Sequence, residues 1–428
     1  MLNHKEKSPV RVLHIVGESR FGGVATIILG LGRIAQAEGW QIDILTTDPI
    51  FQQAVRQHGL GLVNLDVIRR EIRPLWDLGG LVRLHRFLRR EPYDIVHTHT
   101  SKGGFVGRLA ARLAGVPVIV HTAHGFAFHE SSPVSSRLFY TILERIASRW
   151  CDRIVSVSEF HRKWAIELGM CVPRKIIAIP NGIAELGRNR EVGLAELRRQ
   201  LGAQHGDLLI LSIARLAPDK GLEYLIEAAA MLPHTGHRIQ IVIAGDGPAR
   251  ERLEQQVRNL RVGDRLSFVG FRQDVGDLLA ACDLVILPSL REGLSISLLE
   301  AMAAGKPIIA TSIGSQREVA SHADMALLVP PADARSLSER ILQLTGDPAL
   351  MARLGANART VYESCYTENR MLQSYRQLYF DLLSEKCPGK ATTPLQRDKE
   401  RLAGHRERFS RGVPEVVSST HQSKGGGL

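Results

Sequence analysis

Leu290-Arg291-Glu292-Gly293-Leu294-Ser295-Ile296-Ser297-Leu298-Leu299-Glu300-Ala301-Met302-Ala303-Ala304-Gly305-Lys306-Pro307 is the stretch whose reading decides the fold. The run Asp283 to Leu287 leads into it and stops at Pro288, and a second apolar run, Ile308 to Ala310, leaves it. The helix-like segment between them carries Glu292 and Glu300, with seven residues between them. Strand, Gly-containing turn, helix and strand in that order make one βαβ unit. Ligands of such parallel sheets sit outside the carboxyl ends of the strands. Glu292 falls at that end and Glu300 in the helix that follows. Two acids there can accept hydrogen bonds from hydroxyl groups, in which sugars and ribose are rich.

The same alternation extends in both directions. Towards the C-terminus, Met325 to Val329 is read as the last strand and helices follow from about 333 to 384. Towards the N-terminus, strands are read at Leu208 to Ser212, Ile239 to Ala244, Leu266 to Val269 and Leu284 to Leu287, with helices Gly221 to Met231, Ala249 to Asn259 and Val275 to Ala281 between them. Residues 183–206 are polar, lack strand signals and read as the lead-in to this half. In the first half, strands are expected at Arg11 to Val16, Ile42 to Thr46, Leu62 to Leu65, Asp94 to Thr98, Pro117 to Val120, Ile154 to Val157 and Ile176 to Ile179. Helices are expected at Val24 to Ala37, Leu78 to Arg90, Gly103 to Ala114 and Pro133 to Trp150. Repeated β-α-β-α order predicts an α/β chain of two doubly wound, Rossmann-like parallel sheets. A length of 428 residues fits two domains. They are placed at 1–185 and 186–384, with the last helix packing back on the first domain. A basic tail, 385–428, is too poor in apolar residues to fold alone.

Charge is uneven. Residues 1–185 balance at +8, residues 385–428 at +4, and the stretch between them at −1. A basic first half suits an anionic partner such as phosphate or a membrane surface, and it equally suits solvated arginines. The helix from Leu78, with Leu78, Leu81, Val82 and Leu88 to one side and Arg83, Arg86, Arg89 and Arg90 beside them, reads either as membrane-facing or as packed on the sheet. Five scattered cysteines without metal-like pairing favour buried thiols in a reducing compartment. No run approaches the length of a membrane span, and no signal peptide is evident.

Three further constellations carry chemistry. Arg215 and Lys220 flank the turn Ala214-Arg215-Leu216-Ala217-Pro218-Asp219-Lys220-Gly221 at a strand's carboxyl end, where two cations beside a helix N-terminus suit a diphosphate and, taken alone, equally suit a pair of surface bases at a loop. Gly17-Glu18-Ser19-Arg20-Phe21-Gly22-Gly23 is a Gly-rich loop opening a helix, suited to an anion but lacking the G-x-G-x-x-G dinucleotide pattern. His97-x-His99 and His121-x-x-His124 invite a zinc reading. No carboxylate or cysteine completes a set beside them, so they are read as lining a pocket. No Asp-x-Asp pair is present for a metal-bridged diphosphate. Arg108 and Arg112 either face an acceptor phosphate or stand in solvent.

Taken together, Arg215-Leu-x-x-x-Lys220-Gly221, Ala244-Gly245-Asp246-Gly247-Pro248 and Glu292-Gly293-(x)6-Glu300-Ala301-Met302-Ala303-x-Gly305-x-Pro307 resemble the retaining glycosyltransferases of GT-B family 4. So do Gly22-Gly23, His124-Gly125 and Pro180-Asn181-Gly182. The likeness spans roughly residues 10–380. It implies a GT-B fold with two domains facing a cleft. It implies that Arg215 and Lys220 hold the donor diphosphate and stabilise the departing nucleotide, that Glu300 binds ribose and that Glu292 contacts the donor sugar. Gly22 and Gly23 would approach the diphosphate from the other domain, and His124 would stand near the reacting carbon. Gly245, Gly293, Leu294 and Ser295 complete the donor-binding set, and Arg215, Lys220, Glu292 and His124 the catalytic one. Leu294-Ser295 departs from the Phe-Gly or Leu-Pro that often follows Glu-Gly in the family, which bears on the sugar rather than the reaction.

The sequence around His97 to Gly104 and Ala123 to Phe126 is similar to members that build bacterial surface polysaccharides on polyprenyl-diphosphate lipids. The expectation is transfer of a hexose or N-acetylhexosamine from a nucleotide sugar, UDP-linked, to a lipid-linked or oligosaccharide acceptor in exopolysaccharide, capsule or O-antigen synthesis. No metal or other cofactor is expected, nor a nucleic-acid partner. The expected location is cytoplasmic, peripheral on the inner face of the membrane. Two alternatives stand beside it: a UDP-sugar 2-epimerase of the same fold, and a non-catalytic nucleotide-sugar-binding protein.

Overall fold

Val, Ile and Leu dominate the central strands of both halves, as expected where helices cover both faces of a sheet. The computed structural model of the chain describes residues 9–17, 22–69, 73–129, 132–188, 193–233, 238–388 and 390. Its first sheet comprises β1 (Arg11–Gly17), β2 (Gln41–Thr46), β3 (Gly61–Val63), β4 (Ile95–His99), β5 (Val118–Ala123), β6 (Arg153–Ser156) and β7 (Ile176–Ala178). Their order is β3-β2-β1-β4-β5-β6-β7. The second comprises β8 (Leu208–Ile213), β9 (Ile239–Ala244), β10 (Leu266–Phe268), β11 (Leu284–Leu287), β12 (Ile308–Thr311) and β13 (Leu327–Val329), in the order β10-β9-β8-β11-β12-β13. The strand order reverses between β1 and β4 and again between β8 and β11. Such switch points open a crevice at the carboxyl ends of the strands. Gly22 and His99 follow or end strands at the first switch point; Arg215 and Glu292 follow strands at the second.

Among the described residues, four short α-helices lie outside the sequence reading: Pro49–Gln57, Glu159–Glu167, Leu194–Gln200 and Gly314–Ala320. The third falls inside the segment read as a polar lead-in, where Leu197 is buried against the second sheet's core. The helix read from Leu78 begins at Pro74, and its buried residues are Gly80, Leu84 and Leu88. Leu78 and Val82 are exposed. The four residues assigned to one side therefore divide between core and surface.

The last helix, Glu368–Lys386, lies on the first domain. Met371, Leu372, Tyr375, Leu378, Tyr379, Leu382 and Leu383 share one apolar cluster with Val12, Val16, Ile28 and Ile95. Polar groups fix its register within that cluster. Tyr379 Oη lies 2.5 Å from His97 Nδ1, and Tyr375 Oη lies 3.0 Å from Thr122 Oγ1. Arg33 pairs with Glu368, and Arg376 Nε donates to Glu38 at 2.5 Å. The chain crosses between domains at two adjacent points: Ile183 N–H donates to Tyr366 O at 3.1 Å, and Glu368 N–H donates to Ile183 O at 2.7 Å. Beyond the helix, Lys390 Nζ donates to Asp94 Oδ1 at 2.6 Å. The expected disorder of the tail concerns residues outside the described set from 391 onward.

Tyr379→Phe strips a buried partner from His97 Nδ1. An orphaned buried polar atom costs roughly 1–3 kcal/mol, so the urea unfolding midpoint is expected to fall. An unchanged midpoint would assign the helix's anchorage to apolar contacts alone.

Candidate active site

A cavity of about 670 Å³ lies between the domains, lined on one side by Arg215, Lys220, Glu292, Gly293 and Ser315 and on the other by Thr100, His121, His124, Gly125 and Trp164. Its volume falls within the range of small-molecule sites. The turn carrying Arg215 and Lys220 is held by glycines that a side chain would displace. A Cβ on Gly245 (φ +148) would stand 1.9 Å from Ala214 O, and one on Gly221 (φ +59) 2.2 Å from Pro288 O. Leu290 N–H donates to Asp219 O at 2.9 Å, which locks this turn to the loop leaving β11. Gly245 thus supports the turn from beneath and is absent from the cavity wall.

Each cation carries a carboxylate. Lys220 Nζ donates to Glu292 Oε1 at 2.7 Å, and Ser289 Oγ donates to the same oxygen at 2.8 Å. Arg215 Nη2 donates to Asp219 Oδ1 at 3.3 Å. Ser315 Oγ donates to Glu292 O at 3.2 Å and holds the loop's backbone. Glu300, in the helix Ile296–Ala303, has no partner among the described residues and does not line the cavity; burial pushes its carboxyl up to about 7. Ser295 caps this helix, its Oγ accepting from Leu298 N–H at 3.4 Å. Leu294 is buried, and its carbonyl accepts from Asn181 Nδ2 at 3.2 Å. Gly23 opens the first helix of the other domain, where a Cβ would fall 2.5 Å from Ile296 Cγ1. The N-termini of these two helices therefore meet. Residues 18–21 of the Gly-rich loop lie outside the described residues.

Backbone meets backbone elsewhere across the cavity. A Cβ on Gly293 would stand 1.9 Å from His124 O, and Gly125 adopts φ +143. Phe160 packs on Gly314, while the Glu318 carboxylate accepts from Glu159 N–H at 2.9 Å and Phe160 N–H at 2.5 Å. A carboxylate from one domain thereby caps a helix of the other.

The histidines sort differently from their sequence spacing. His121 Nδ1 turns to Thr98 Oγ1 at 3.0 Å, whereas His124 Nε2 faces His99 Nδ1 at 3.1 Å. His99 Nε2 in turn faces Nδ1 of His14, which the sequence reading missed, at 3.0 Å. His14, His97 and His99 bring ligand atoms within 4.8 Å of one another, yet both nitrogens of His97 are bonded, to Tyr379 Oη and to Thr122 Oγ1 at 2.7 Å. A metal needs one lone pair from each ligand converging on one point, and His97 has both nitrogens committed to hydroxyl groups. Burial pushes the pKa of each imidazole down, to about 3 for His14 and about 4 for His124. Arg108 neither faces an acceptor nor stands in solvent. It is fully buried, donating to Gly104 O at 2.8 Å and Glu144 Oε2 at 2.9 Å.

Residues 22–182 match the family described as "Glycosyl transferase 4-like domain", and residues 195–361 the family described as "Glycosyl transferases group 1". A putative glycosyltransferase EpsF from Bacillus subtilis is 31% identical over 71% of this chain and 79% of its own. A UDP-Gal:alpha-D-GlcNAc-diphosphoundecaprenol alpha-1,3-galactosyltransferase from Escherichia coli is 28% identical over 89% of this chain and 99% of its own. Among solved structures, Anabaena HepE in complex with UDP and glucose superposes with a TM-score of 0.74 at 22% identity, covering 86% of this chain and 99% of that one. Two switch-point crevices face one cavity, and each half of the chain matches its own glycosyltransferase family: the chain belongs to the family-4 glycosyltransferases of GT-B fold.

Proposed function

We propose that the chain moves a hexose or N-acetylhexosamine, with retention, from a UDP-sugar to a polyprenyl-diphosphate-linked or oligosaccharide acceptor in bacterial exopolysaccharide, capsule or O-antigen synthesis. The observation that carries the proposal is the meeting of Arg215, Lys220 and Glu292 with His124 and Gly125 in one cavity. Arg215 and Lys220 receive the diphosphate and stabilise it as it departs. Glu292 commits Oε1 to Lys220 and Ser289, which leaves Oε2 for the donor sugar. Glu300 accepts from the ribose hydroxyls. The amides from Gly293 through Ser295, with Gly22 and Gly23 opposite, approach the diphosphate. The UDP in the HepE complex and the undecaprenol-linked acceptor in the Escherichia coli relative's name support these assignments by analogy.

Retention draws support from the cavity's acids. Glu144, Asp219 and Glu292 line it, and each is held in an ion pair, with Arg108, Arg215 and Lys220 respectively. Inversion needs a free carboxylate to serve as general base on the face opposite the leaving group. Attack from the face that the diphosphate leaves needs only positioning and charge stabilisation. The two cations supply that charge in place of a metal.

The first domain carries a face suited to the inner membrane surface. Helix Val134–Ala147 exposes Val134, Leu138, Phe139, Ile142 and Ile146, with Arg145 beside them and Arg149 just beyond, and no acid on that side. An apolar stripe flanked by arginines is the pattern of a helix lying in an anionic interface. Helix Pro74–Arg90 adds exposed Leu75 and Leu78.

Arg215→Ala and Lys220→Ala are each expected to cut transfer by roughly a hundredfold or more with circular dichroism unchanged, and a chelator to leave transfer intact. Full turnover in both variants would overturn the diphosphate assignment, and conversion of the UDP-sugar to its C2 epimer without acceptor would establish the epimerase. The donor KM is expected to rise as pH falls through about 7, because protonation takes a lone pair from Glu300; Glu300→Gln should flatten that profile. Vesicles containing phosphatidylglycerol are expected to float the protein, and Leu138→Ser with Phe139→Ser and Ile142→Ser to abolish flotation while transfer to a soluble acceptor persists.

A further inference from the structure

We infer that His14 and His99 set the tautomer of His124, so that His124 offers a hydrogen-bond donor, Nδ1–H, to the cavity. The inference deepens the reading of His124 as a group beside the donor sugar. It starts from strand register. β1 and β4 pair in parallel with His14 opposite His97, and His99 lies two residues further on the same face of β4. His124 follows the last residue of β5, the neighbour of β4. Three rings thus form a chain from the cavity to the buried face of the sheet, set edge to edge, with His99 and His124 centroids 5.3 Å apart at an interplanar angle of 25° and those of His14 and His99 5.3 Å apart at 17°.

Each link is a nitrogen facing a nitrogen: His124 Nε2 to His99 Nδ1 at 3.1 Å, and His99 Nε2 to His14 Nδ1 at 3.0 Å. Such a contact bonds only when one nitrogen carries hydrogen and the other a lone pair. A neutral imidazole has one of each. Among the described residues no carboxylate contacts the rings, and burial disfavours their charged forms. The chain therefore has two orientations. In one, every Nε2 carries hydrogen, protons point into the protein, and His14 Nε2–H is the terminal donor. In the other, every Nδ1 carries hydrogen, protons point towards the cavity, and His124 Nδ1–H is the terminal donor.

The two ends of the chain differ. His14 Nε2 is buried and without a partner among the described residues, and neither nitrogen of nearby His97 is available to it. A buried N–H without an acceptor is among the rarest faults in folded proteins, and an unused acceptor is less costly. The second orientation places the unused lone pair of His14 in the core and delivers the N–H to the cavity, where a ligand oxygen can accept it. His14 and His99 are then positioning residues acting through His124. His124, as a donor, cannot take the acceptor's proton; it supports oxygen on the donor sugar or the departing diphosphate.

The test reads the tautomer in the free protein, apart from any transfer assay, so failure of the functional reading leaves it intact. With 15N-labelled histidine, two-bond nitrogen–proton correlation spectra distinguish Nδ1–H from Nε2–H, and His124→Asn assigns the His124 signal. At neutral pH, His124, His99 and His14 are each expected as Nδ1–H. His14→Phe removes the donor to His99 Nε2, so the His124 signal should lose its single-tautomer pattern. His14→Asn, which places an amide N–H near the position of Nδ1–H, should restore it. An Nε2–H signal for His124 in the native protein overturns the inference, as does an unchanged His124 tautomer in His14→Phe. The native spectrum decides the orientation even if a variant fails to fold.

Discussion

A contact between two backbones holds the cavity together, and only glycine permits it. Gly293 stands so close to the His124 carbonyl that a single methyl group would separate the domains. On one side of that contact, the chain turns Glu292 towards Lys220. On the other, it sends the His124 ring back to His99. The remaining bridges are arranged around it: Gly23 against Ile296, Asn181 on the Leu294 carbonyl, and Glu318 on the amides of Glu159 and Phe160. Because the first contact is between main chains, it brings the two crevices together whatever the side chains beside them.

The two walls of the cavity handle charge in opposite ways. On the wall from the second domain Arg215 and Lys220 are paired with Asp219 and Glu292, so that under the proposed function a diphosphate would exchange one anionic partner for another. The wall from the first domain confines its charge to Glu144, which is tied to Arg108, and its His121 and His124 are held uncharged by burial, facing Thr98 and His99. A low-dielectric wall opposite a pair of cations strengthens their field at the ligand.

Most of the architecture was legible because the two sheets are parallel and buried, so their strands stand out as short apolar runs. The four unread helices span seven to nine residues each, too few turns for periodicity to emerge. Local chemistry marked two of them nonetheless: Asp48 before Pro49, and Ser158 before Glu159, each accept from the amide three residues on. Among the site residues, Arg215, Lys220, Glu292 and His124 belong to motifs and met in one cavity. Glu300 and Gly245 were assigned by the same motifs and are absent from the cavity lining, because motif spacing carries no burial. His14 gave no signal. It is a single histidine in an apolar strand, and its meaning depends on pairing with a strand some eighty residues away.

The paired crossing at Ile183 and Thr367 has a mechanical consequence. A single linker would act as a ball joint, free to twist. Two strands bridged side by side act as a pinned hinge, which permits swing about one axis and resists sliding and torsion. Were the two halves to swing apart, such a hinge would return them to the same alignment, and ångström-scale contacts such as Gly293 on His124 would re-form without a search. The last helix is a fixed plate of that hinge on the first domain's side, so its loss would unseat the axis as well as uncover apolar surface.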